Sequence, residues 1–206
     1  MSTLATLADT SYKPKKDQVR AILCDLYERH PELGHDLAAL YAYFMPAKPK
    51  KPKTDFDWLS AATDEKSDRI FMRFVYANDK HAVATDGHRI HLMSLSDIDL
   101  DPGFYDRSRN LVERDDQYPD YQRVLPERNP QRECGADVFS ELVEVAKSFA
   151  YRVEIGGLHC GFAKQYVDQA LSIMQNPCVT LPDSANKAVR IDDDHHTAVI
   201  MPMRMG

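Results

Sequence analysis

A short segment that alternates proline with lysine constrains this chain most. Residues 46–54 read PAKPKKPKT. Proline offers no backbone N–H group and lysine resists burial, so these residues cannot belong to a packed helix or sheet. We therefore predict an extended linker at residues 46–54, which joins residues 1–45 to residues 55–206.

The part before the linker has the pattern of two helices. Apolar residues recur at helical spacing from Asp17 to Tyr27, and again from the His30-Pro31 pair as far as Phe44. A proline between two such runs marks a turn. The pattern predicts an N-terminal helical hairpin.

After the linker the pattern changes to short strands and two helices. Strand-like runs occupy residues 69–77, 81–86, 89–95, 151–155, 178–181, 188–191 and 197–203. Helical spacing of apolar residues predicts helices at residues 136–149 and 162–174, and the polar residues 96–114 predict a long loop. Strands and helices that do not alternate strictly are typical of the α+β class. We predict an antiparallel sheet with two packed helices.

The overall charge and the cysteines limit the kind of protein. A net charge of -6 gives no general attraction to DNA, so any DNA contact needs a local basic surface. Four cysteines are scattered without a Cys-x-x-Cys pair, which favours reduced thiols over disulfides or a zinc site. The sequence shows neither a membrane-spanning apolar run nor a signal pattern. We expect a cytoplasmic protein.

The sequence offers few residues that could support catalysis or hold a metal ion. His88 and His91 are three residues apart, and in a strand they would point to opposite faces. The acidic and histidine-rich residues 192–196 lie between two predicted strands, where a solvated turn is expected. The sequence has none of the phosphate-binding, dinucleotide-binding or serine-nucleophile motifs. We expect a non-enzymatic protein without a cofactor or a metal ion.

Three separated segments resemble one protein family. They are VATDGHRI at residues 83–90, YPDYQRVLP at residues 118–126 and VIMPMRM at residues 199–205. They are similar, in the same order, to the ATDGHRL, FPDYRRVLP and VMPMRL segments of the β subunit of bacterial DNA polymerase III, the sliding clamp. A looser match, GFAKQYV at residues 161–167, resembles the GFN-x-x-YV start of a helix in the last clamp domain. The resemblance covers residues 64–204, with gaps.

The resemblance implies a pocket between the middle and last clamp domains, which binds short linear motifs of polymerases, the clamp loader and repair proteins. Apolar side chains would receive the leucine and phenylalanine anchors of a peptide, while prolines stiffen the rim and polar groups fix the register. The implied pocket residues are Met72, Thr85, Gly87, His88, Arg89, Ile90, Pro119, Arg123, Val124, Tyr166, Val199, Ile200, Met201, Pro202, Met203 and Arg204.

The chain departs from a clamp subunit in its length, because a clamp subunit has three domains of similar fold. No segment resembles the first domain, so we interpret residues 55–206 as a shortened middle domain joined to a shortened last domain. We hypothesise a clamp-like module encoded by a phage or mobile element, which recruits replication proteins of the host or competes for them.

Two other functions stay open. In the first, several copies form a homo-oligomeric ring around DNA, with a positive lining from Lys50, Lys51, Lys53, Arg107 and Arg109. The predicted helix at residues 136–149 attracts phosphate weakly, because its three acidic residues outnumber its single lysine. In the second, the N-terminal helices bind a partner and the clamp-like part is only a scaffold.

Overall fold

A computed structural model describes residues 22, 25–26, 29–30, 54–145 and 148–203. The chain divides into two compact units, Met1–Lys50 and Lys51–Gly206. In the first unit the described residues 22, 25, 26 and 29 are helical, and Asp25 and Arg29 form an ion pair of 2.7 Å across one turn. The rest of the predicted hairpin and nearly all of the predicted linker lie outside the described residues. The same holds for Lys50, Lys51, Lys53 and Arg204.

The second unit begins with a helix that the sequence analysis did not predict. Helix α1 spans Asp55–Ser60 and starts with a capping box at Thr54. The Thr54 hydroxyl accepts the Asp57 N–H at 3.1 Å, and the Asp57 carboxylate accepts the Thr54 N–H at 3.2 Å. Both bonds satisfy backbone donors that a helix start leaves free. The helix buries Trp58 and Leu59 completely.

Most strands form one antiparallel sheet of nine strands. The bounds of the strands are β1 Val75–Ala77, β2 His81–Thr85, β3 Arg89–Ser94, β4 Gly103–Tyr105, β5 Leu111–Val112, β6 Glu133–Gly135, β7 Glu141–Val145, β8 Ser148–Ile155, β9 Leu158–Ala163, β10 Cys178–Thr180, β11 Val189–Asp192 and β12 His196–Ile200. The order in the large sheet is β5-β4-β1-β2-β3-β12-β11-β10-β6. Strand β12 therefore joins the strands before residue 113 to those after residue 130.

The remaining strands form a smaller sheet in the order β7-β8-β9. Helix α2, Lys164–Ala170, follows β9 directly. After β12 the chain reaches this second sheet, because the Met203 N–H donates to the Gly161 carbonyl at 2.7 Å. The last described residues thus connect the two sheets.

The predicted class, an α+β fold with an antiparallel sheet and two packed helices, is confirmed, but three elements were predicted wrongly. The described residues of the predicted helix 136–149 are not an α-helix: they form a short 3-10 turn at Ala136–Val138, then β7 and the start of β8. The apolar spacing fits both a helix and a strand, and pairing with β8 decides between them. Residues 96–114 contain β4 and β5 rather than a continuous loop, and residues 69–77 begin with a 3-10 turn at Ile70–Arg73.

Apolar side chains form a cluster on each face of the large sheet, because neighbouring residues of a strand point to opposite faces. The first core includes Trp58, Leu59, Met93, Phe162 and Val167, and draws on both sheets and both helices. The second core consists of Val83, Ile90, Leu92, Phe104, Tyr118, Tyr121, Ala188 and Val199. Among the described helices, none is long and apolar enough to cross a membrane.

Candidate peptide-binding site

The three clamp-like segments meet in the second core. Ile90 comes from the first segment, Tyr118 and Tyr121 from the second, and Val199 from the third. Leu125 of the second segment packs against the same cluster. Stretches that are far apart in sequence therefore share one apolar base, and the residues next to these anchors are held at a common surface.

The turn between β2 and β3 forms one side of this surface. The Thr85 hydroxyl donates to the Arg89 carbonyl at 2.6 Å, and the Asp86 carboxylate accepts the N–H groups of His88 and Arg89 at 2.9 and 3.0 Å. Asp86 was absent from the predicted site, although aspartate before glycine is a common turn signal. These bonds hold His88 exposed at the tip of the turn.

Gly87 has a backbone conformation that only glycine adopts without strain. Its φ is +88°, and a Cβ atom there would lie 3.1 Å from the Met72 methyl carbon. Met72 is buried, so it supports the turn from below. We expect Gly87→Ala to lower the free energy of unfolding by about 1–2 kcal/mol. Urea denaturation would measure this loss, and an unchanged stability would contradict the strained geometry.

The closing segment forms the second side. The Met201 N–H donates to the His88 carbonyl at 2.8 Å, which places the end of β12 directly beside the turn. Met201 is 45% exposed, whereas Pro202 and Met203 are half-buried. Ile200 differs from its neighbours: it is fully buried in the first core, on the opposite face of the sheet. The structure therefore removes Ile200 from the predicted surface.

The second segment forms the third side and is attached at two points. The Tyr121 hydroxyl lies 3.1 Å from Asn78 Nδ2 and 3.0 Å from His81 Nδ1, and the Arg190 guanidinium donates to the Pro126 carbonyl at 2.9 Å. Between these points Val124 is 60% exposed. The flanking Pro119 and Arg123 are exposed as well. A short 3-10 turn at Tyr121–Val124 thus presents the Val124 side chain to solvent from a fixed backbone.

Arg89 is buried inside the protein, whereas the sequence predicted it as a polar contact at the peptide-binding surface. Only 6% of it is exposed, and its guanidinium bonds to Asp86, to Gln169 of α2 and to the carbonyl of Ala61 after α1. Its Cζ atom lies 4.3 Å from the centroid of the Tyr166 ring. Burial lowers the pKa of Arg89 and the Asp86 carboxylate opposes this effect. Arg89 therefore ties the turn to both helices, and each of its three guanidinium nitrogens already donates a hydrogen bond within the chain.

Two predicted DNA contacts are also engaged within the chain. Arg107 donates to the hydroxyl and the carbonyl of Thr63, both at 2.9 Å. Arg109 donates to the Asp99 carbonyl at 2.6 Å. The acidic residues Glu141 and Glu144 lie on β7 and not on the predicted helix. Within residues 54–145 and 148–203, no group of three or more His, Cys, Asp or Glu side chains is placed to hold a metal ion.

Solved structures of bacterial sliding clamps match this fold. A DNA polymerase sliding clamp from Pseudomonas aeruginosa superposes with a TM-score of 0.53 at 19% identity, over 75% of this chain and 65% of that chain. The fold is that of a sliding clamp. A Caulobacter crescentus β sliding clamp with polyethylene glycol at a putative β-motif tethering region gives 0.51 at 15% identity, over 73% of this chain and 63% of that one. A Helicobacter pylori β clamp bound to a DNA ligase peptide gives 0.50 at 12% identity, over 73% and 62%.

The match to these clamp structures is partial in length. This chain spans less than two thirds of each of the three clamp chains. No protein-family model matches the sequence, and no curated protein matches it. The similarity between this chain and the clamps is therefore a similarity of fold.

Proposed function

We propose that this protein is a non-enzymatic, clamp-like module that binds the short clamp-binding motifs of DNA polymerase and other replication proteins. The observation that carries the proposal is the hydrogen bond between the Met201 N–H and the His88 carbonyl, together with the shared second core. Both bring the turn, the closing segment and the Tyr118–Pro126 segment to one surface. Such a module would recruit replication proteins or compete for them.

The chemistry of the surface suits a short apolar peptide. Met201 and Val124 are exposed apolar side chains on supported backbone, and methionine adapts to anchors of differing shape. His88 and Arg123 are exposed beside them and offer polar contacts that set the direction of the peptide. The peptide-bound clamp from Helicobacter pylori has the same fold. These features support peptide binding at this surface.

Fluorescence anisotropy with a labelled clamp-motif peptide tests the proposal. We expect binding by the full chain, and we expect Val124→Asp and Met201→Asp each to weaken it about tenfold or more, because a charge replaces an apolar contact worth at least about 1.5 kcal/mol. Leu158→Asp is the matched control, since Leu158 is 63% exposed and lies at the start of β9. Its affinity should equal that of the original chain.

The proposal fails if the full chain does not bind at high micromolar concentration, or if the Leu158 variant loses as much affinity as the other two. The alternative of a DNA-encircling ring gains no support from Arg107 and Arg109, because both guanidinium groups bond within the chain. A role for the N-terminal helices and an origin in a phage or mobile element stay predictions.

A further inference from the structure

We propose that Arg190, on strand β11, is a positioning residue of the peptide-binding surface: it holds the turn that carries Val124 in the place where a peptide binds. This role rests on the proposed function and extends it to a residue outside the three clamp-like segments. Strand β11 spans Val189–Asp192 and lies beside β12 in the large sheet. Arg190 acts on the peptide through the turn and not by direct contact.

The guanidinium group of Arg190 has a fixed orientation. Its Nε atom donates to both carboxylate oxygens of Asp192, at 3.0 and 2.8 Å, and its Nη2 atom donates to Oδ1 at 2.9 Å. Because the guanidinium group is planar, a carboxylate bound along the edge of Nε and Nη2 directs the third nitrogen away from it. That nitrogen, Nη1, donates to the Pro126 carbonyl at 2.9 Å.

Asp192 is itself held in place, so the ion pair is a rigid support. Its Oδ1 atom also accepts the Thr197 hydroxyl at 2.7 Å. The side chains of Arg190 and Asp192 are only 18% and 6% exposed, so water competes little for these bonds. The position of the Nη1 atom of Arg190 is therefore set by two neighbouring strands.

The bond to Pro126 connects two of the three sides of the surface. Arg190 pairs with Val199 in the register of β11 and β12, and β12 leads into the closing segment that carries Met201. Pro126 follows Val124 by two residues. Arg190 thus fixes the Val124 turn relative to the closing segment. The distance between the two exposed apolar side chains of the surface depends on this bond.

The other end of the turn is attached to different strands. The Tyr121 hydroxyl is bound near β1 and β2, and within the turn the Leu125 N–H donates to the Gln122 carbonyl at 3.3 Å. Without Arg190 the turn keeps this first attachment but can pivot about it. Only the molecules with the turn in place then bind the peptide, and the apparent dissociation constant rises by the inverse of their fraction.

Fluorescence anisotropy with the labelled clamp-motif peptide, together with urea denaturation, separates positioning from stability. Arg190→Lys keeps a positive charge beside Asp192 but cannot also donate to Pro126 from the same place, whereas Arg190→Ala loses both interactions. We expect the dissociation constant to rise about fivefold in both variants, because both lose the hydrogen bond to Pro126. The urea midpoint should fall much further in Arg190→Ala. If Arg190 were only structural, affinity would follow stability.

Arg128→Lys is the matched control. Arg128 lies two residues after Pro126, but it pairs with Glu133 of β6 and its side chain is 53% exposed. An exposed pair contributes little, so the affinity of this variant should stay within about twofold of the original chain. The comparison separates the bond to Pro126 from the general effect of replacing an arginine near the turn.

Amide hydrogen exchange of the free protein provides a measurement that needs no peptide. In Arg190→Lys the Leu125 amide should exchange faster than in the original chain and in Arg128→Lys, while the amides of β12 exchange as before. Unchanged Leu125 exchange, or unchanged peptide affinity in Arg190→Lys, would overturn the role of Arg190 and leave the proposed function intact. Absence of binding by the original chain would overturn both.

Discussion

Replacing Arg89 by alanine is expected to lower the free energy of unfolding by about 3–5 kcal/mol, the usual cost of removing one partner from a buried ion pair. The Asp86 carboxylate is only 12% exposed and would lose its charged partner. The Ala61 carbonyl and the Gln169 side chain would lose a donor at the same time. Arg89→Lys should recover only part of the loss, because one ammonium group cannot reach the same set of acceptors.

Urea denaturation of the Arg89 variants measures this effect, with Arg107→Ala as the matched control. Arg107 is also an arginine paired with an acidic residue, Glu65, but its side chain is 44% exposed. The exposed pair with Glu65 contributes about 0–1 kcal/mol, and each hydrogen bond to Thr63 contributes about 1 kcal/mol. The loss in Arg107→Ala should therefore be smaller than the loss in Arg89→Ala. Peptide affinity should fall in Arg89→Ala as well, since the turn that carries His88 loses its support. Equal losses in both alanine variants would mean that Arg89 does not hold the turn.

Acidification from pH 6.5 to pH 4.5 is expected to lower the free energy of unfolding by about 2–3 kcal/mol through His91. His91 is fully buried, and its pKa is lowered from 6.5 to about 3, first by burial and then by the charge of Arg89. Because the folded pKa is below the unfolded one, the unfolded chain binds the proton more readily. The stabilisation is complete above about pH 6.5 and is lost as the pH falls toward 3.

The surroundings of His91 explain why its neutral form is required. Its Nδ1 atom lies 2.6 Å from the Trp58 carbonyl, which can only accept, so Nδ1 carries the proton. Its Nε2 atom is buried without a hydrogen-bond partner. The imidazole of His91 stacks on the Trp58 ring, with 4.1 Å between the ring centroids. The His196 ring meets the Trp58 ring edge-on, with 4.9 Å between the centroids. A second proton would place an unpaired charged N–H group inside the first core.

Denaturation of the original chain and of His91→Gln at several pH values isolates this contribution. The variant has no titrating group at position 91, so its stability should fall less steeply between pH 6.5 and 4.5. His196 lies between Asp193 and Asp55, at 2.9 and 3.2 Å, and it is retained in both proteins. Burial raises the pKa of Asp193, but hydrogen bonds from backbone N–H groups together lower it to below its ordinary value of 3.8. The stability that Asp193 contributes is therefore lost mainly as the pH falls below about 3.8. Parallel pH profiles would exclude His91 as the source.

The sequence predicted strands correctly where the local pattern and the long-range packing favour the same structure. Strands β2, β3, β11 and β12 lie where alternation predicted them, because one residue in two faces each core. A turn containing Gly87 separates the two predicted strands 81–86 and 89–95, and Gly87 has the positive φ that glycine permits. The three clamp-like segments each contribute an apolar side chain to the second core.

Other structural features depended on tertiary contacts within the chain. Residues 141–145 have apolar spacing compatible with a helix, and hydrogen bonds to β8 made them a strand. The sequence marked Arg89 as a polar contact for a ligand, but burial between two helices made it an internal support.

The sequence by itself determined which residues turn, alternate and cap, because those preferences act within a few residues of chain. The tertiary structure decided which side chains remain free for a partner. The exposure of Val124 and Met201 and the burial of Ile200 and Arg89 depend on contacts between distant segments, such as Arg89 with Ala61, 28 residues away, and β12 with β3. Such contacts leave no local pattern, since burial depends on what the rest of the chain places beside a residue.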